Sequence, residues 1–404
     1  AAARAAVARA RARQDEADAA RWPMLQLDVG IGPTVQAELV PGSAARSRQN
    51  AYGEVDFDEL SVFVAGQLQV LQPLYTFGKI GLRRDAARHG ARAREAEGRM
   101  TRAEVALRAA ELYESYLFAR DAERLFEEVS HVAERAIQQA RKRKEKNPES
   151  FEQTELLRLT TARSAAQLAL NRARAGRTRA AAGLRAYLGL RAGDAIEVAD
   201  RELRPLAAPE QPLARLRGTA LERRPELAAL SHGSRAMQLL ADARRAGYWP
   251  DLFALAFVSA AYTPGRDLVD SRYLVDRFYH FIPGLMVGLR WTLQGTTPGA
   301  RAARSAAESR RLDALREWAR QGIPSQVRAA HARVERARRD IAETGKALPG
   351  TKRWMVRASA DYAIGMGSSR ELTDAVEAYM RMRTQRMRSI LDLNVGLAEL
   401  ARAT

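Results

Sequence analysis

The sequence contains no cysteine. Disulfides, thiolate metal sites and cysteine nucleophiles are therefore excluded, while the redox compartment stays open. No apolar run approaches the roughly 18 residues of a membrane-spanning helix, and no signal-peptide pattern is visible. Lysine is scarce: six of the 66 basic residues, the rest being arginine. The net charge of +18 admits two readings, a GC-rich genome's arginine usage or nucleic-acid binding. Against the second, the arginines are spread along helices among acids, with no platform of stacking aromatics. His89, His131, His232, His280 and His331 are scattered without metal-ligand spacing, which predicts surface or packing roles. Gly30 and Gly32 begin a GxG that lacks both a third glycine and a following helix. No GxSxG, P-loop or paired-carboxylate pattern occurs, so neither an enzyme nor a metal or cofactor is expected.

What is present is organised around Val62–Lys79. Val62, Val64, Gly66, Leu68 and Val70 alternate with Phe63, Ala65, Gln67, Gln69 and Leu71, the period of a strand with one apolar and one wet face. Pro73, lacking an N–H, is expected to end that ladder. Gly78 opens about seventy residues of helical periodicity without proline. A helix over 78–146 is about 100 Å long at 1.5 Å per residue, too long for one globular core. Its apolar stripe, including Val105, Leu112, Tyr116 and Phe126, is narrow, as in a coiled-coil seam. The basic run Arg141 to Lys146 suits a helix carboxyl end; it is read as a solvated helix end, with contact to acidic adaptor tips or lipid phosphates as the sharper alternative.

The rest follows in order. Residues 1–21 read as an alanine-rich helix that starts without a cap, which predicts a processed or trimmed amino terminus. Residues 24–32 alternate like a second strand, and 33–60 look like a long exposed loop. Ser150 and Gln153 are spaced as a capping box for a returning helix over 150–189, followed by a connector with a short strand at Ile196–Val198. The pattern then restarts: a helix over 215–247, strands near 252–262 and 281–293, and a long helix over 299–364 with kinks at Pro324 and Pro349. Gly365-Met366-Gly367 ends it, and Ser368 with Glu371 caps a returning helix over 369–402. Residues 1–213 and 214–404 thus form two structural repeats. Four strands with one apolar face cannot close alone, and open edges are forbidden in lipid. Association of copies is the physical solution.

Certain residues carry a family likeness: Gln72-Pro73-Leu74-Tyr75 with Phe77-Gly78-Lys79, Leu188-Gly189-Leu190, Ala220-Leu221-Glu222-Arg223-Arg224-Pro225-Glu226-Leu227, Trp249-Pro250-Asp251-Leu252, and Tyr379 with Asn394-Val395-Gly396-Leu397-Ala398-Glu399-Leu400. In this order the chain resembles the TolC family of bacterial outer-membrane efflux and secretion ducts along nearly its whole length. The resemblance implies a mixed α/β membrane protein, a homotrimer sharing a twelve-stranded β-barrel in the outer membrane, continued by an α-helical coiled-coil barrel through the periplasm. It implies a periplasmic adaptor protein and an inner-membrane pump as partners, outer-membrane lipid around the barrel, and no nucleic acid. A soluble arginine-rich coiled-coil scaffold or nucleic-acid binder, and a stand-alone outer-membrane pore, are the competing readings.

Site residues follow from the same comparison. Glu371 and Asp374 match the positions where acids narrow the family's periplasmic aperture; the plainer reading is two acids near a helix amino terminus. The adaptor-contact tips would be Asn147 and Pro148 in the first hairpin, which lacks the family's usual glycine, and Gly365, Met366, Gly367 and Ser368 in the second. Leu285, Val287, Leu289 and Trp291 share one strand face and would meet the membrane. Trp22, Trp249, Trp291 and Tyr262 sit near strand ends, where interface-girdle and simple packing roles compete.

Overall fold

A computed structural model describes residues 1–39, 52–149, 151–191, 193–207, 211–268, 275–293 and 295–404. The chain runs α1 (Ala2–Ala19), β1 (Met24–Leu39), β2 (Tyr52–Tyr75), α2 (Lys79–Lys146), α3 (Gln153–Leu188), α4 (Leu213–Arg223), α5 (Pro225–Arg245), β3 (Asp251–Tyr262), β4 (His280–Arg290), α6 (Thr297–Ala363) and α7 (Ser369–Ala403). It divides into two compact units, one built from residues 1–95 and 229–315, the other from 96–228 and 316–404. Each unit therefore draws on two separate stretches of the chain, and α2 and α6 contribute to both.

The first unit carries one antiparallel sheet in the order β1-β2-β3-β4. β1 and β2 outrun the sequence expectation, whereas β4 stops at Arg290, short of the expected 293. β1 reaches Leu39 and β2 starts at Tyr52, because the two pair with each other, Gln36 opposite Asp56 and Glu38 opposite Glu54, across two register shifts. Backbone pairing satisfies groups that the polar local sequence would otherwise leave to water. Part of the expected loop, residues 40–51, lies outside the described residues. Pro73 does not end β2. Pairing with β1 stops at Leu71, but Pro73 still faces Phe253 of β3, and the register shift falls between Pro73 and Tyr75. The missing N–H is tolerated where the β1 ladder has already stopped.

The second unit is a helical layer with a long apolar seam. Leu125, Val129 and Ile137 of α2, Leu159 of α3, and Tyr362 and Tyr379 of α6 and α7 are essentially sealed from solvent. Burying each such aliphatic side chain is worth roughly 1.5–3 kcal/mol. Many seam positions are alanine, which lets helices approach. At Gly183 even a methyl would meet Leu112 at 2.8 Å. The arginines are widely paired across this seam, as in Arg174 with Glu123 at 3.1 Å and Glu127 at 2.7 Å.

Several helix boundaries depart from expectation. The predicted helix over 215–247 is two helices, broken at Arg224, which is extended (φ −60°, ψ 124°) because the following Pro225 disfavours the helical conformation before it. α6, by contrast, is the single helix expected, with Pro324 and Pro349 inside it. Ser150 lies outside the described residues; α3 starts after Glu152, whose side chain makes no cap bond. Ile196–Val198 is not a strand and takes no part in the one sheet among the described residues. The connector is held by side chains instead. Asn394 Oδ1 accepts from Leu206 N at 2.9 Å, and its Nδ2 donates to Arg204 O at 2.9 Å and Glu114 Oε2 at 2.8 Å.

Burial pushes the Glu114 carboxyl up, against the Asn394 hydrogen bond that favours its charged form. A raised carboxylate pKa contributes stability at low pH that is lost as pH rises through the folded value. Glu114→Gln keeps an acceptor for Asn394 and removes the buried charge. Its thermal midpoint should exceed that of the parent by a few degrees at pH 7, with the gap closing below about pH 4.5, the ordinary value for this group. Scans by circular dichroism at both pH values check this.

Candidate functional site

The two faces of the sheet differ in kind. Gly284 and Gly288 of β4 lie beneath the rings of Phe257 and Phe253, which a Cβ would meet at 2.3 and 2.6 Å. Those residues therefore share one face, and pairing places Gln26, Asp28, Gln67, Gln69, Ser259 and Arg290 on it as well. That face is polar. The opposite face carries Leu25, Leu27, Val29 and Ile31 of β1, Val62 to Val70 on alternate positions of β2, Leu252 to Tyr262 likewise on β3, and Phe281, Leu285, Val287 and Leu289 of β4. Among these residues none is charged. Yet the face is bare: Leu285 is 81% exposed, Ile31 73% and Val287 65%. An uncovered apolar surface of this extent marks a lipid or protein interface.

Leu285, Val287 and Leu289 thus fall on the apolar face as expected. Trp291 lies just past the end of β4, where its Nε1 donates to Tyr248 O at 3.0 Å. With Trp22 and Trp249 it rims one end of the sheet, and Trp249 stacks on Phe77 at 5.6 Å. Tyr262 packs edge-on against Tyr279 at the other end, 5.3 Å between rings. All four girdle candidates are more than half exposed.

The hairpin tips lie in the second unit. Asn147 and Pro148 are exposed beyond the end of α2. At the second tip, Gly365 sits in the left-handed region (φ 84°). Its N–H donates to Tyr362 O, and Met366 N and Gly367 N both donate to Asp361 O. This turn satisfies carbonyls that the helix end leaves open. Gly367 has no room for a side chain, since a Cβ would stand 3.0 Å from Tyr362 N. Met366 is left 83% exposed at the apex. Ser368 Oγ accepts from Glu371 N at 3.2 Å, the cap its position predicts.

Glu371 and Asp374 are both exposed on α7, while Leu372, Ala375 and Val376 between and after them are buried. Only Glu371 is in the first turn; Asp374 is one turn further on. Among the described residues neither carboxylate has an ion-pair partner. Beside them is a constellation that the sequence did not reveal. Arg143 of α2 lies 4.2 Å from the Tyr362 ring centroid and 3.5 Å from Glu155 of α3, and Tyr362 Oη donates to Glu155 Oε1 at 2.5 Å. Burial and the Glu155 carboxylate push the Tyr362 phenol well up. This cluster ties the first tip to the second. Its members are too far apart in sequence for spacing to expose them.

Of the histidines, His89 and His232 are brought together, Nδ1 to Nδ1 at 3.1 Å. Burial holds His89 below its ordinary pKa, and the neighbouring His232 adds to this. Among the described residues no group of three or more histidines and carboxylates forms a metal cage.

No protein-family model matches the chain, and no curated protein is significantly similar to it in sequence. Solved structures do match. A membrane protein from Pseudomonas aeruginosa superposes with a TM-score of 0.77 at 18% identity, covering 100% of this chain and 90% of that one. The outer-membrane protein VceC from Vibrio cholerae gives 0.73 at 14% identity, with 99% and 91% covered. The open-state MtrE outer-membrane channel of Neisseria gonorrhoeae gives 0.73 at 16% identity, with 99% and 85% covered. The chain has the fold of these outer-membrane proteins, as the TolC resemblance implied.

Proposed function

We propose, from a fold shared with outer-membrane channels, that this chain is the outer-membrane duct of a tripartite export system. Three copies would close their four-stranded sheets into one twelve-stranded barrel, apolar face outward. Their helices would continue as a conduit through the periplasm, loaded by an adaptor and an inner-membrane pump. Transport through it is passive conduction, not catalysis. In this reading residues 1–213 and 214–404 are two repeats, each giving two strands and one helical hairpin. The tips at Asn147-Pro148 and Gly365–Ser368 would contact the adaptor, and Glu371 and Asp374 would ring the aperture.

The observation that carries this is the bare apolar face on a sheet whose outer edges, β1 and β4, have no partner among the described residues. In water such a sheet would aggregate. In lipid it must close. At ~3.4 Å per residue and ~40° tilt, the run from Phe281 to Leu289 covers about 20 Å of height, near the ~25 Å apolar band of outer-membrane barrels. Part of the arginine content pairs with helical carboxylates, as at Arg174, Arg333 and Arg336, which disfavours a nucleic-acid binder.

The absence of cysteine makes a direct test available. Single cysteines introduced along β1 and β4, for example Leu27→Cys with Leu285→Cys and neighbouring pairs, should cross-link between copies under oxidation. A covalent trimer on non-reducing gels, from protein that needs detergent to stay in solution, is the expected result. Monodisperse monomer in plain buffer would overturn the proposal.

A further inference from the structure

The first unit holds a cavity of about 250 Å³ where the polar face of the sheet meets the helices. Lys79, Arg83, Arg244, Arg290 and Arg301 line it, with Asp251 the one carboxylate. That acid is already engaged. Lys79 Nζ donates to Asp251 Oδ1 at 2.9 Å and to Trp249 O at 2.6 Å. Four arginines remain. Arg244 is held in place by Arg301 O at 2.9 Å and by Ser305 Oγ. Arg290 lies over the Phe253 ring at 5.1 Å. Arg83 and Arg301 are exposed, with no carboxylate partner among the described residues.

The helices add to the same sign. α2 starts at Lys79 and α6 at Thr297, both at the cavity, and neither has an acid in its first turn. Their amino ends add positive partial charge at the cavity, with one N–H of each already donating to a neutral hydroxyl, Ile80 N to Thr76 Oγ1 and Gly299 N to Tyr248 Oη. Other arginines of this chain pair with carboxylates, as Arg174 and Arg333 do; here four line one cavity whose single carboxylate is taken by Lys79. We infer that the cavity is an anion site for a phosphate-bearing ligand, gripped by Arg83, Arg244, Arg290 and Arg301. Guanidinium forks match phosphate oxygens bidentately, which a lone lysine cannot do.

Position selects the source of the ligand. The strand residues at the cavity, Asp251 and Arg290, are paired opposite each other and share the face of Phe253 and the glutamines. They turn away from the apolar face. The occupant therefore arrives from water as a soluble anion, not from the bilayer as a phospholipid head group. This assignment needs neither a closed barrel nor conduction, so it stands or falls separately from the export reading.

The test is titration of the full chain in detergent with inorganic pyrophosphate, followed calorimetrically. Saturable binding that weakens as KCl rises is expected. Arg290→Gln with Arg301→Gln should weaken it at least about tenfold, whereas Arg9→Gln with Arg353→Gln, equal in charge removed, should not. Arg83→Gln, on an exposed helical face, repeats the test should the double variant misfold. No saturable binding by the parent, or equal loss in the two double variants, overturns the inference. Capture of phosphatidylglycerol from mixed micelles by the parent, lost in Arg290→Gln with Arg301→Gln and without pyrophosphate binding, overturns the soluble source.

Discussion

Leu285→Arg should abolish assembly into the outer membrane, while Gln69→Arg should leave it near the parental level. The two positions lie at similar heights in the sheet, since Leu285 pairs with Ala256 and Gln69 with the adjacent Phe257. They differ in face. Leu285 stands 81% exposed among aliphatics, and Gln69 shares the polar side with Gln26 and Gln67. A basic residue on the lipid side at mid-membrane costs roughly 2–4 kcal/mol. In a three-fold assembly that cost is repeated in each copy, enough to exceed much of an ordinary domain's stability of about 5–15 kcal/mol. On the polar face the same arginine meets water. Membrane fractionation, with heat-modifiable mobility on gels, reads both variants. Equal defects in the two would mean that the outward face is not the apolar one.

The second large effect concerns Glu371 and Asp374. Changing both to Ala should raise single-channel conductance in planar bilayers and lower the preference for cations. Carboxylates gathered about a symmetry axis set a negative potential at the mouth, and with any bound cations they narrow it. The structure leaves them free to act this way. They face solvent on α7, without ion-pair partners among the described residues, while Leu372, Ala375 and Val376 of the same helix are buried. The stability cost should be small, because the Ser368 cap is untouched. Removing Glu371 from the first turn loses about 0.3–1 kcal/mol. Arg370, exposed beside them, is the opposing influence. If it paired with these acids across copies, removing them would shift selectivity further toward anions. Unchanged conductance and selectivity in an intact trimer would reduce both residues to ordinary surface acids.

The sequence by itself determined what local periodicity can encode. Alternation along Val62–Leu71 and Leu285–Leu289 assigned each residue to a sheet face, because a strand's period of two is set by the backbone alone. The lengths of α2 and α6 and the helix stop at Gly365-Met366-Gly367 were legible locally as well. The break at Arg224-Pro225 was also written locally, and the expectation of one helix passed over it.

Only the tertiary structure decided what depends on partners distant in the chain. β1 and β2 gained residues on both sides of their hairpin because pairing energy outweighed a polar sequence with weak strand preference. Pro73 stayed in a strand because its own geometry mattered less than where the β1 ladder stopped. Arg143, Glu155 and Tyr362 met across two hairpins, and the arginines around Asp251 converged from strands and helices far apart in sequence. Charge placement of that kind leaves no periodic trace, since it is fixed by how elements pack and not by how any one of them folds.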